Sequence, residues 1–235
     1  MALKEILGLL GSILNISLQL SPMPGIIQGY KKMEIKNLTI SYFVVGIIQG
    51  IFWIGYGTNI SDIVVYGPNI TIYILFSIYL NVVIYIKARY NLFYLTNIPL
   101  ILLCYISVKF VPETFNVIFA TIVSCFWQTT NLETIKLALN HYDSAYINIL
   151  LSIITFSCFV IMSLYSLLIK AYIMFIPYFY GAILNYINIY IYFWAEHKIY
   201  RNDCFIRKIF TVLLAKDNIN EIENDIQNPK DEILV

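Results

Sequence analysis

The stretch that decides the architecture is Phe52-Trp53-Ile54-Gly55-Tyr56-Gly57, with Pro68 following 12 residues after Tyr56. A second stretch, Ile161-Met162-Ser163-Leu164-Tyr165-Ser166, has Pro177 at the same distance from its tyrosine. The two copies lie 109 positions apart throughout. The same offset sets Pro22 opposite Asn131, Tyr85 opposite Trp194 and Arg89 opposite Lys198. The identities are sparse, but one constant offset serves them all, so the chain reads as an internal duplication.

Around these stretches the charges fall in clusters. Between the clusters lie seven charge-free windows: 6–30, 37–61, 63–86, 90–108, 114–132, 144–169 and 171–195. About 20 helical residues cross a bilayer core, so each window has the length of one transmembrane helix. Continuous Ile/Leu/Phe/Tyr runs argue against a barrel, whose strands alternate in polarity. The composition agrees: 60% of the 235 residues are apolar and 12% charged, against roughly 25% charged in a soluble domain. The 15 basic and 14 acidic residues nearly cancel, so no global field recruits nucleic acid. The first window runs past Pro22 and Pro24 to Tyr30 without a small-residue cleavage site, and reads as a helix rather than a signal peptide.

Three helices per copy leave the second copy upside down unless one further helix separates them. Window 90–108 is that helix. The expected fold is all-α, seven transmembrane helices in a 3+1+3 plan of two parallel three-helix bundles. The divisions are 5–89, linker 90–112, 113–198, and a tail at 199–235. Loop lysines and arginines orient membrane proteins. With the N-terminus outside, Lys31, Lys32, Lys36, Lys87, Arg89, Lys136 and Lys198 reach the cytosol, and only Lys4, Lys109 and Lys170 stay outside. A multi-pass protein, N-out and C-in, follows, with the plasma membrane favoured and an internal membrane also open. In the tail, Cys204–Ala215 fits the inner leaflet, and acidic Asp217–Val235 reads as disordered. Asn37-Leu-Thr39 falls on the cytosolic side, where it stays unmodified.

The 3+1+3 plan, Ser21-Pro22, Trp53-Ile-Gly-Tyr-Gly57, Pro68-Asn69 and Pro177-Tyr-Phe-Tyr-Gly181 resemble the SWEET (MtN3/saliva) sugar transporters over about residues 5–198. The resemblance implies a substrate pocket between the bundles, formed by Trp53, Asn69, Met162 and Tyr178. It implies a hinge at Pro22 and outer-gate tyrosines at Tyr56 and Tyr165. Two of the pocket positions depart from the family, with Met162 where Trp is usual and Tyr178 where Asn is usual. Of the hinge prolines only Pro22 is kept. Asn131 stands at the helix 5 position, and Ser41-Tyr42 and Asn148 lie where helices 2 and 6 would carry theirs. The resemblance implies bidirectional facilitated transport of a mono- or disaccharide by alternating access.

The residue types suit such a solute. A pyranose has apolar C–H faces that pack on an aromatic ring, and an indole N–H left free can donate to it. Asn offers two donors and an acceptor to hydroxyls. Each residue also has a plainer reading. Trp53 near a helix end fits an interfacial anchor, and Tyr56 and Tyr165 fit belt tyrosines. Asn69 fits a backbone partner near Pro68, and Pro22 a simple kink.

No proton relay is evident. Glu133 is the one acid close to a span, and it stands three residues before Lys136, where a local ion pair suits it. His141 and His197 fall in a loop or the tail. Cys104, Cys125, Cys158 and Cys204 form no C-x-x-C pair, and no phosphate loop or nucleophile–base set occurs. No enzyme, metal or cofactor is expected; the partners are the sugar and the lipid bilayer, and a homo-oligomer is compatible with the plan. The rival readings are a carrier of another small neutral or amino-acid-like solute with the PQ-loop architecture, although no Pro-Gln dipeptide occurs, and a non-transporting seven-helix receptor or membrane partner.

Overall fold

A computed structural model describes residues 3–34, 40–88, 93–129, 131–141 and 147–197. Asn37-Leu-Thr39, Arg89, Lys198 and the tail lie outside these residues, as do the side chains of Glu133, His141 and His197. The described residues form nine α-helices and no strand: α1 Leu3–Leu20, α2 Met23–Lys32, α3 Ile40–Asn59, α4 Ile63–Ala88, α5 Phe93–Lys109, α6 Glu113–Gln128, α7 Asn131–His141, α8 Ile149–Leu168 and α9 Tyr172–His197.

Nine helices arise from seven windows because the first and fifth each break. The first breaks at Ser21-Pro22, where proline removes a backbone donor, and α2 starts with Pro22 at its cap. The fifth breaks after Gln128 with no proline present. There the Thr129 N–H is shared between Cys125 O and Phe126 O, and its hydroxyl also bonds Phe126 O. Such side-chain bonds to nearby carbonyls compete with the helical ladder. The two breaks fall at equivalent positions of the repeat, so the bend survives the loss of its proline.

Helix pairing shows the duplication directly. In the first bundle α4 packs between α3 and the α1–α2 pair. In the second, α9 packs between α8 and the α6–α7 pair. Across the bundles α1 meets α8, and α6 meets α3, each contact the image of the other. Only α5 lacks a counterpart; it lies against α3 and touches α4.

The turns between α3 and α4 and between α8 and α9 repeat bond for bond. Ser61 (φ 54°) and Lys170 (φ 60°) both take the left-handed conformation. Ile60, Ser61 and Asp62 donate to Tyr56, Thr58 and Gly57, and Ile169, Lys170 and Ala171 donate to Tyr165, Leu167 and Ser166. These bonds use the last carbonyls of each helix, which would otherwise be orphaned.

Helices α4 and α9 begin earlier than the prolines suggest, at Ile63 and Tyr172, so Pro68 and Pro177 stand inside them. Asp62 caps α4 by accepting from Val64 N–H at 2.9 Å. Pro177 leaves the Ile173 carbonyl without its helical donor, and the Thr121 hydroxyl approaches it at 3.4 Å. Neighbouring helices commonly repair a proline-broken ladder in this way.

The linker α5 is tied in by a buried polar knot. Ser107 Oγ donates to Asn116 Oδ1 (2.8 Å), and Asn116 Nδ2 donates to Ser107 O (3.0 Å) and Val111 O (3.3 Å). Gly55 of α3 packs directly on both side chains, and a β-carbon there would collide with Ser107 Oγ and Asn116 Nδ2.

Four helical stretches are long and apolar enough to cross a membrane on length and composition: Leu3–Lys32, Ile40–Asn59, Ile63–Lys87 and Ile149–Leu168. The other helices fall short in length or in apolarity, α5 and α6 having 17 and 16 residues. Helix α9 is about 39 Å long at 1.5 Å per residue, but it carries six tyrosines along with Asn185 and Asn188. Helices α6 and α7 divide one window at the break.

Candidate functional site

A cavity of about 320 Å³ lies between the bundles. It is lined by Asn15, Leu18, Gln19 and Ser21 at the first helix, Tyr42, Gln49 and Trp53 of α3, and Asn69, Ile72 and Phe76 of α4. From the second bundle come Ser124, Trp127 and Gln128 of α6, Ile147 and Asn148 before α8, Leu151, Ser152, Thr155 and Phe159 of α8, and Pro177, Tyr178, Asn185 and Asn188 of α9. The duplication governs this lining. Asn15 and Ser124, Leu18 and Trp127, Gln19 and Gln128, Tyr42 and Leu151, and Phe76 and Asn185 are all pairs at the repeat offset. None of the lining residues is Asp, Glu, Lys, Arg or His.

Three of the four pocket residues expected from the sequence line this cavity: Trp53, Asn69 and Tyr178. Met162 does not. It is 1% exposed and packs on Gly11, where α1 and α8 press together too closely for a β-carbon. The methionine thus fills the seam between bundles. Tyr56 and Tyr165 lie in the same apolar cluster, which joins Trp53, Val65, Met162, Met174 and Tyr178. Pro22 marks the α1–α2 break and does not line the cavity, although its neighbour Ser21 does.

The expectation of a free indole N–H is corrected. Trp53 Nε1 donates to Ser124 Oγ at 2.9 Å. This bond crosses from α3 to α6, so the polar edge of the indole holds the bundles together. Trp53 is 1% exposed, unlike an interfacial anchor. Its ring lies nearly parallel to Tyr178 (centroids 6.2 Å apart, 24° between planes) and edge-on to Tyr56 (5.8 Å, 70°).

Asn69 is also partly committed. Its Nδ2 donates to Val65 O, one turn back, at 2.7 Å. Asn148 caps α8, accepting from Leu151 N–H at 3.1 Å. Gln19 Nε2 reaches Asn15 Oδ1 (3.0 Å) and Pro68 O (3.1 Å), which joins the first helix to α4. The buried Oε1 atoms of Gln19 and Gln49 and the Oδ1 of Asn188 have no hydrogen-bond partner.

Near the α3–α4 and α8–α9 turns one hydrogen bond joins the two bundles. Tyr165 O–H donates to Asp62 Oδ2 at 2.6 Å, bridging the second bundle to the cap of α4. The repeat offers no mirror-image bond, because Ala171 stands where the first copy has Asp62. Away from these turns the lining continues to Ile147 and Asn148, at the start of α8.

Residues 5–91 match the family model described as a sugar efflux transporter for intercellular exchange, MtN3/saliva. The fold is similar to that of a eukaryotic SWEET transporter: TM-score 0.73 at 18% identity, covering 83% of this chain and 97% of that one. The first repeat is thus similar to the MtN3/saliva family, and the fold of the chain to that of a SWEET transporter. A search of curated proteins finds no match. The second repeat lies outside the matched residues and carries both altered pocket positions, Met162 and Tyr178.

The sequence-based set missed Asn15, Gln19, Gln49, Ser124, Gln128, Asn185 and Asn188. A signal for most of them was present. Asn15 and Gln19, Ser124 and Gln128, and Asn185 and Asn188 are polar pairs at helical spacing inside charge-free windows. Two of these pairs map onto each other at the repeat offset.

Proposed function

We propose that this protein carries neutral sugars in both directions, down their gradient, by exposing the central cavity alternately to the two sides of a membrane. The observation that carries this reading is the lining itself, which is rich in amides, hydroxyls and aromatic rings and free of charge. Amides and hydroxyls match a polyhydroxylated solute in both donors and acceptors, and rings cover its C–H faces. Without an ionic contact, binding stays weak enough for release.

A parallel-repeat carrier is expected to bind its substrate at the repeat interface near the midplane, and rocking of one bundle against the other moves access across it. Trp53, Asn69 and Tyr178 are the proposed central contacts, and Met162 a filler that shapes the seam behind them. Tyr56 and Tyr165 form the proposed gate at the end near the α3–α4 and α8–α9 turns. With the N-terminus outside, that end faces outward and the cavity is directed to the cytosol.

The test is uptake and efflux of labelled hexose and disaccharide in cells lacking their own sugar carriers. Flux above empty-vector cells is expected, and Trp53→Ala or Asn69→Ala is expected to lower it at least tenfold. Flux equal to the vector despite correct membrane delivery overturns the function. Undiminished flux in both variants overturns the central site alone.

A further inference from the structure

The two halves of the cavity are alike in backbone and opposite in chemistry. At the centre the first repeat supplies the amide, Asn69, and the second a ring, Tyr178. Seven residues along each helix the chemistry is exchanged. Helix α4 presents Phe76, and α9 presents Asn185 at the equivalent position. Seven residues are two turns, about 10 Å along the axis.

Phe76 is part of a wall of rings. Its centroid lies 5.8 Å from that of Tyr42 and 6.0 Å from that of Trp127, and Tyr42 and Trp127 are 5.4 Å apart. All three line the cavity. The other wall at this depth carries Asn185, Asn188 and Ser152, each under 10% exposed. Asn185 is held as Asn69 is: its Nδ2 donates to the carbonyl four residues back, Gly181 O, at 2.8 Å. Both amides are therefore fixed by their own helix, leaving Oδ1 as the acceptor for a hydroxyl. Asn188 adds a buried Oδ1 with no partner, a group whose desolvation is repaid only when a donor arrives.

We infer that the cavity contains a second sugar subsite, two helical turns from the Trp53–Asn69–Tyr178 set toward the start of α8. There a pyranose ring lays its C–H face on Tyr42, Phe76 and Trp127 and presents its hydroxyls to Asn185, Asn188 and Ser152. This inference rests on the sugar-carrier reading and deepens it. The asparagine absent at position 178 is replaced, in function, by one two turns deeper. The bound sugar is consequently read by the second repeat at one depth and by the first repeat at another.

The experiment is equilibrium binding of radiolabelled glucose and sucrose to the purified full-length chain in lipid nanodiscs. Asn185→Ala, Asn188→Ala and Phe76→Leu are compared with wild type and with Trp53→Ala. Each of the first three is expected to raise Kd about tenfold, the scale of one lost hydrogen bond or ring contact. Asn185→Ser, which keeps a polar group, replaces any variant that is not monodisperse, and the same rise is expected. Wild-type Kd, within twofold, in the Asn185, Asn188 and Phe76 variants, with binding lost in Trp53→Ala, overturns the second subsite and leaves the carrier reading intact. A wild-type chain that binds neither sugar overturns both.

Discussion

Single side chains in this protein carry more than one task, and Trp53 shows the consequence. Its ring borders the cavity while its N–H, 2.9 Å from Ser124 Oγ, links α3 to α6. Ser124→Ala leaves a buried indole donor without a partner, at a cost of about 1–3 kcal/mol. A lower thermal midpoint in detergent is therefore expected, measurable by scanning fluorimetry with the sugar absent. An unchanged midpoint would show that the bond contributes nothing to joining the bundles. Asn69 divides its amide similarly, one edge on Val65 O and the other toward the cavity. A residue pattern names such side chains but does not say which of their atoms are already engaged.

At the level of elements, the proposed rocking has to open the seams between the bundles. The α3–α6 seam is fastened by Trp53–Ser124 and by the knot of Ser107 and Asn116 beside Gly55. The α1–α8 seam is closed by packing of Met162 on Gly11 and, at its end, by Tyr165 on Asp62. The latter is one hydrogen bond to a carboxylate, stronger than a neutral pair and removable by one atom. Tyr165→Phe and Asp62→Asn are each expected to raise labelling of a cysteine placed at Val65 by a membrane-impermeant maleimide added from the side of the α3–α4 turn. Equal labelling with the latch intact and removed would show that the apolar cluster alone holds that end shut. The breaks in the first and fifth spans persist with one proline between them, so the bend belongs to the repeat rather than to Pro22.

At the scale of the whole molecule, charge is excluded from the one place where coupling to protons would need it. No acid, base or histidine lines the cavity, and proton-coupled carriers keep such groups in the membrane at considerable cost. A protonophore is thus expected to leave initial sugar flux unchanged, and internal sugar to rise to the external concentration and no further. Accumulation above it, abolished by the protonophore, would contradict the proposed uniport mechanism. The all-helical, multi-span class is legible from the spacing of charges, and the pairing of the helices into two like bundles from a constant offset. The cavity lining is legible in part, since Trp53, Asn69 and Tyr178 border it as the sequence pattern implies. Gln19, Ser124, Asn185 and Asn188 were passed over because single polar residues within apolar helices look alike until the facing helix is known.

The sequence by itself determined a multi-span helical protein, its duplication and its likeness to SWEET carriers. These follow from solvent: charges stay out of the bilayer, and a repeated chain repeats its turns, as Ser61 and Lys170 do. Only the tertiary structure decided that Met162 fills a seam, that Trp53 spends its donor on Ser124, and that Asn185 and Asn188 border the cavity. Those outcomes depend on which helix faces which, and on distances of a few ångströms between residues 71 or more positions apart, as in the Trp53–Ser124 bond. No local pattern encodes such a distance, because it is set by the packing of α1 on α8 and of α3 on α6.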